Sequence, residues 1–93
     1  MGRRSLADQI WEPYKDEEPG SETWLVIYDF QENKPPTKFY DNLTRIKANA
    51  VDGDLIQFSV YRTGDQRAAK SIRDLVEHYG GQSFLFKGEL IQE

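Results

Sequence analysis

The 93-residue chain has no cysteine and only one histidine, His78. The first absence excludes a disulfide framework and thiolate metal sites, and the two together exclude the common zinc arrangements. Any metal bound here is then a hard cation such as Mg²⁺, held by carboxylates. No apolar run approaches the length needed to span a bilayer, and the first thirty residues lack the basic-then-apolar order of a secretory signal. The expectation is a cytoplasmic protein with no membrane partner. A glycine-rich phosphate loop is also missing after the most apolar stretch, residues 24–30, which argues against a nucleotide-binding enzyme.

What is present fits one small domain with a polar arm. Charged residues make up 30% of the chain and apolar ones 38%, a balance that suits a soluble domain carrying a solvated tail. Residues 1–22 hold three basic and six acidic side chains, whereas residues 23–93 hold nine and ten. The domain is therefore almost neutral, which weakens general nucleic-acid binding but leaves room for a local basic face. Residues 1–23, with Pro13, Pro19, Gly20 and the run Asp16-Glu17-Glu18, read as a poorly ordered acidic arm, and residues 24–93 as the domain. Ile10 and Tyr14 keep an alternative open, because their i, i+4 spacing places them, with Trp11 close by, on a short helix that could dock.

Trp24-Leu25-Val26-Ile27-Tyr28-Asp29-Phe30 is the organising stretch. Its unbroken apolar order predicts a strand buried on both faces. The lone acid, Asp29, either starts the following turn or stands at a sheet end where chemistry is often placed. A helix follows Pro35-Pro36, with Asn33 as a candidate cap and Phe39, Leu43, Ile46 and Ala50 as one apolar stripe. Leu55 to Tyr61 alternates so that Ile56, Phe58 and Val60 share a face, which predicts a strand; whether residues 47–63 form one strand or two stays open. A second helix, capped by Thr63 or Asp65, has its stripe at Ala69, Ile72, Val76 and Tyr79 and stops at Gly80-Gly81. His78 in its last turn suits the helix dipole. Residues 83–91 form a last strand interrupted by Gly88.

Two architectures fit this order: a parallel βαβαβ sheet, or an α+β ferredoxin-like two-layer sandwich (βαββαβ, with its middle strands reduced to one at the limit) whose two helices cover one sheet face. Either way the expected core is Leu25, Val26, Ile27, Phe39, Leu43, Ile46, Ile56, Phe58, Val60, Ile72, Leu75, Val76 and Phe84 or Leu85. So few strands leave edges unpaired, which favours a homodimer.

Val26-Ile27-Tyr28-Asp29-Phe30, a charged turn, a helix opening with Lys and aromatic residues, and Ile56-Gln57-Phe58-Ser59-Val60-Tyr61 together resemble the small CRISPR-associated adaptation subunit, also described as an endoribonuclease. The resemblance covers about residues 24–91. It implies the ferredoxin-like fold, a symmetric dimer, a place in antiviral defence, and a Mg²⁺-dependent nuclease site in which Asp29 binds the metal and Ser59 stands close to it. It also implies phosphate contacts from Lys38 and Arg45, joined by Arg62. This sequence departs from the family in its acidic arm and in the short stretch between Tyr61 and the second helix. The competing expectation is a non-catalytic protein-interaction module that joins a partner through a sheet edge and the Ile10-Trp11-Tyr14 patch of the arm.

Overall fold

The computed structural model describes residues 4–30, 35–57 and 59–91. Its elements run α1 (Leu6–Trp11), β1 (Thr23–Asp29), α2 (Thr37–Asn49), β2 (Asp54–Gln57), β3 (Val60–Thr63), α3 (Gln66–His78) and β4 (Gln82–Gly88). The four strands form one sheet in the order β2-β3-β1-β4, and every pairing is antiparallel. The parallel alternative is thereby excluded.

β1 is central because it is the longest apolar strand and pairs on both sides, with Val26 opposite both Tyr61 of β3 and Leu85 of β4. Its burial alternates, however. Val26 and Tyr28 are buried, whereas Ile27 is 36% exposed. Helices cover only one sheet face, so the strand expected to be buried on both faces is covered on one. Leu25 and Val60 are half-buried and Ile56 is exposed, so with Ile27 four residues leave the expected core; of the pair Phe84 or Leu85, Leu85 packs against the core and Phe84 is exposed, and Phe58 lies outside the described residues.

The core proper joins Val26, Tyr28 and Tyr61 of the sheet to Phe39, Leu43 and Ile46 of α2 and to Ala68, Ala69, Ile72, Leu75 and Val76 of α3. Both helices present the stripe their spacing predicts. Phe39 centres an aromatic group, its ring centroid 5.4 Å from Tyr28 and 5.1 Å from Phe30. Pro36 stands at the N-terminal boundary of α2 with no side-chain cap, and Asn33 lies outside the described residues. α3 is better terminated. Asp65 caps its start, and at its end Gly80, at φ +83°, closes a Schellman motif in which Gly81 N–H donates to the Val76 carbonyl and Gly80 N–H to that of Glu77.

The choice left open for residues 47–63 resolves as two strands, β2 and β3. Gln57 pairs with Val60 across a two-residue turn. A β-bulge between Leu55 and Gln57 offsets the turn, so Ile56 and Val60 still share a face as their alternation predicts, but it is the face that no helix covers. The turn carries no Gly, Pro or Asn to announce it. At the other end of β2, Gly53 does carry a backbone requirement: φ is +153°, and a Cβ there would stand 2.0 Å from the Tyr61 hydroxyl oxygen.

In place of a poorly ordered arm, α1 and the turns after it are seated against α2 and α3. Ser5 caps α1 by accepting from Asp8 N–H. Ala7 is fully buried, its N–H donating to Asn42 Oδ1 at 3.0 Å. Composition missed this because the anchors are few and scattered among charges: Leu6, Ala7, Ile10 and Trp11 supply the apolar contacts.

Candidate functional site

Asp29 ends β1 opposite Gln82 of β4, with its side chain exposed. Alternation along β1 puts it on the uncovered sheet face with Leu25 and Ile27. Ser59 reaches the same end of β1: its carbonyl accepts from Tyr28 N–H at 3.0 Å, continuing the β1/β3 ladder by one residue. Ser59 thus sits opposite Tyr28, one residue before Asp29, and the pleat that puts Asp29 on the uncovered face gives the Tyr28 position to the other. Among the described residues no three His, Cys, Asp or Glu side chains come together as a metal-binding group. One chain offers a single carboxylate at Asp29, which does not by itself fit a Mg²⁺ site.

The uncovered face is broad and apolar. Phe84 and Phe86 are 56% and 53% exposed and Ile56 is 48% exposed. Leu25, Ile56, Phe86 and Leu90 line a groove of about 340 Å³ with Arg62 and Lys87 at its polar margin. Arg62 therefore lies on the sheet face, opposite Leu25 and four residues along β1 from Asp29. At 3.3 Å per residue this separates their backbones by about 13 Å.

Lys38 and Arg45 are on the other layer. Both are exposed on α2, and seven residues is two helical turns, so they point the same way about 10 Å apart. The structure thus divides the three expected phosphate contacts, with Lys38 and Arg45 on the helix layer and Arg62 on the sheet face. His78 is exposed at the end of α3.

A further polar constellation lies where the arm crosses α3. Arg67 donates to the Lys15 carbonyl at 3.1 Å, and its guanidinium carbon sits 5.0 Å from the centre of the Trp11 ring. Lys70 pairs with Glu17 at 2.8 Å and lies 5.8 Å from the Tyr14 ring centre. Arg73 donates to the Tyr14 hydroxyl at 3.2 Å, and that hydroxyl donates to Asp74. Burial, helped by the Asp74 carboxylate, raises the Tyr14 hydroxyl above its ordinary pKa. The sequence held a signal for this set in the i, i+3, i+6 spacing of Arg67, Lys70 and Arg73, set against the acidic run at 16–18.

Asp65, fully buried at the start of α3, is held as a carboxylate. Its burial opposes ionisation, but donors from Arg67 and the N–H groups of Val51 and Arg67 outweigh that and lower its pKa. These donors account for the acid structurally.

No protein-family model, no curated protein and no solved structure matches the chain.

Proposed function

We propose that the chain is one protomer of a nucleic-acid-associated homodimer, built on a ferredoxin-like domain and related to the small CRISPR-associated adaptation subunit. The observation that carries this reading is the apolar sheet face with Asp29 on it. Packing two such faces together removes Phe84, Phe86, Ile56 and Ile27 from water, the largest gain open to so small a domain. The same packing directs two copies of Asp29 into one seam and leaves Lys38 and Arg45 of both protomers outward for phosphate. The strand order β2-β3-β1-β4, with α2 and α3 each crossing over one intervening antiparallel strand, supports the ferredoxin-like assignment.

The catalytic part depends on the pairing. Two Asp29 carboxylates, unlike one, make a plausible Mg²⁺ site, and the ion would supply charge neutralisation at a phosphate there. Ser59, beside β1's end, then helps to shape the site through its backbone. The test is cleavage of labelled single-stranded RNA and duplex DNA by the full chain and by Asp29→Ala, with and without Mg²⁺. Mg²⁺-dependent cleavage lost in the variant is expected; equal activity in both proteins removes the catalytic assignment. Binding is read separately. Lys38→Glu with Arg45→Glu should weaken affinity and flatten its salt dependence by about two phosphate contacts.

The exposed rings Phe84 and Phe86 also favour a second reading, a non-catalytic module whose apolar face receives a different protein. A chain that stays monomeric when isolated and binds neither DNA nor RNA fits that reading and not the first.

A further inference from the structure

The arm meets α3 with an unusual combination of groups. The arm meets three cations of that helix: Arg67 through the Lys15 carbonyl and the Trp11 ring, Lys70 through the Glu17 carboxylate and the Tyr14 ring, and Arg73 through the Tyr14 hydroxyl, beside Arg73's own ion pair with Asp74 at 3.1 Å. The three cations rise about 4.5 Å apart along one side of the helix. Each therefore receives an oxygen, and two also receive an aromatic face. Of these oxygens the Glu17 carboxylate is the charged one, and its placement beside the Trp11 and Tyr14 rings sets acceptor oxygens and flat rings along the cations, as a single-stranded nucleic acid does in a cationic groove. The remainder of the arm adds backbone anchoring, with Gln66 donating to the Glu18 carbonyl at 2.6 Å and to the Pro19 carbonyl from its own N–H at 2.9 Å.

We propose that α3 carries a single-stranded nucleic-acid subsite at Lys70 and Arg73, flanked by Arg67, and that residues 12–18 are a built-in competitor occupying it. This rests on the nucleic-acid reading above and extends it to a helix that reading does not use. Arg67 is the fixed member, because it is also bound to the buried Asp65. Lys70 is the most releasable, since Glu17 is its one ion-pair partner among the described residues and both side chains are partly exposed. Lifting residues 12–18 leaves Trp11, Ala7 and the bond from Ala7 to Asn42 in place, so the arm can open beyond α1 while α1 stays seated. Asp16 and Glu18, exposed on the outer side, add repulsion toward any strand approaching the closed form.

The experiment is fluorescence anisotropy of a labelled twenty-nucleotide oligo-dT with the full chain, over a range of salt concentrations. Tyr14→Ala with Glu17→Ala opens the arm; Glu17→Gln alone is the milder variant and removes one charge while keeping Trp11, Tyr14 and Ala7. The expected result is affinity raised about tenfold by the double change and two- to threefold by Glu17→Gln, with a salt dependence steeper by one to two phosphate contacts. Adding Lys70→Gln and Arg73→Gln should cancel the gain. Unchanged affinity in both arm variants, or a gain that survives loss of Lys70 and Arg73, overturns the proposal. If oligo-dT then still binds through Lys38 and Arg45, the function proposed above stands without the subsite; if no variant binds oligo-dT, the subsite falls, and the function above falls only if the RNA and duplex-DNA assays also fail. Capture of a synthetic peptide of residues 4–18 by the opened chain, with no gain for oligo-dT, overturns the proposal in favour of a protein ligand.

Discussion

At the scale of single residues, the most constrained position outside the aromatic core is Asp65. It accepts from Val51 N–H at 3.0 Å, from its own helix at Arg67 N–H at 3.0 Å, and from the Arg67 guanidinium at 2.9 and 2.8 Å. One carboxylate thus caps α3, ties down the end of α2 and neutralises Arg67. Asp65→Ala strands those donors and is expected to cost about 3 kcal/mol in urea denaturation, more than a surface cap alone would. The pH dependence follows from the lowered pKa. On acidification the unfolded chain takes up this proton before the folded one does, so the contribution is complete above the ordinary carboxylate range and drains away as pH falls toward the folded value. Asp65→Asn should flatten that acid limb when urea midpoints are compared between neutral and strongly acidic buffer; an unaltered slope would assign the limb to other carboxylates. Gly53 is the other constrained residue. Tyr61 is fully buried and cannot move away from an added methyl, and the left-handed φ adds strain, so Gly53→Ala should lose about 3 kcal/mol or more by the same measurement.

At the scale of elements, the parts whose physics is local were legible in the sequence. α3 shows this well: its buried stripe, its Asp65 cap and its Gly80 stop each have a nearby cause, and the structure contains all three. Gly80→Ala should cost about 1 kcal/mol, because the Schellman closure needs φ +83° there and nothing crowds the missing Cβ. What was not legible depends on contacts distant in sequence. The turn between β2 and β3 carries no Gly, Pro or Asn, and it forms because β3 must lie beside β1 with Val26 opposite Tyr61. Tyr61 was absent from the expected core because alternation sets it on the face opposite Ile56 and Val60, which were expected to be buried, whereas here its ring and that of Tyr28 fill the layer between sheet and helices. The arm was hidden for a related reason: Ala7, its most buried residue, is too small to register as an anchor, and its value lies in letting α1 approach Asn42 closely. At the candidate site, the place of Asp29 at the end of β1 could be anticipated from the apolar run that it ends. The separation of Arg62 from Lys38 and Arg45 could not, because it follows from Arg62 taking the face of β3 that lies away from the helix layer carrying Lys38 and Arg45.

At the scale of the whole molecule, one dimension dominates. The fold is a slab 47 by 34 by 16 Å, and 16 Å admits only two layers of secondary structure. One broad face is helical and charged; the other is the bare sheet. Half of such a face already amounts to about the 800 Å² per partner that a stable interface buries. The unbroken apolar order of residues 24–28 makes sense on the same ground, since Leu25 and Ile27 are apolar on a face that no part of the described chain covers. Covering it with a second copy restores the two-sided burial that the sequence implies. Each half-exposed Phe ring on that face should contribute roughly 1 kcal/mol to association, and two-fold symmetry counts each ring twice. Phe84→Glu with Phe86→Glu replaces that gain with buried like charges, yet within one chain both positions face solvent, so folding should be affected by less than about 1 kcal/mol. Sedimentation equilibrium of the full chain should therefore find a dimer for the wild type and a monomer for the double variant at the same concentration, and the wild type's melting temperature alone should rise with protein concentration. A wild type that sediments as a monomer throughout, or a variant that remains dimeric, would place the interface elsewhere and with it remove the reason for two Asp29 carboxylates to meet.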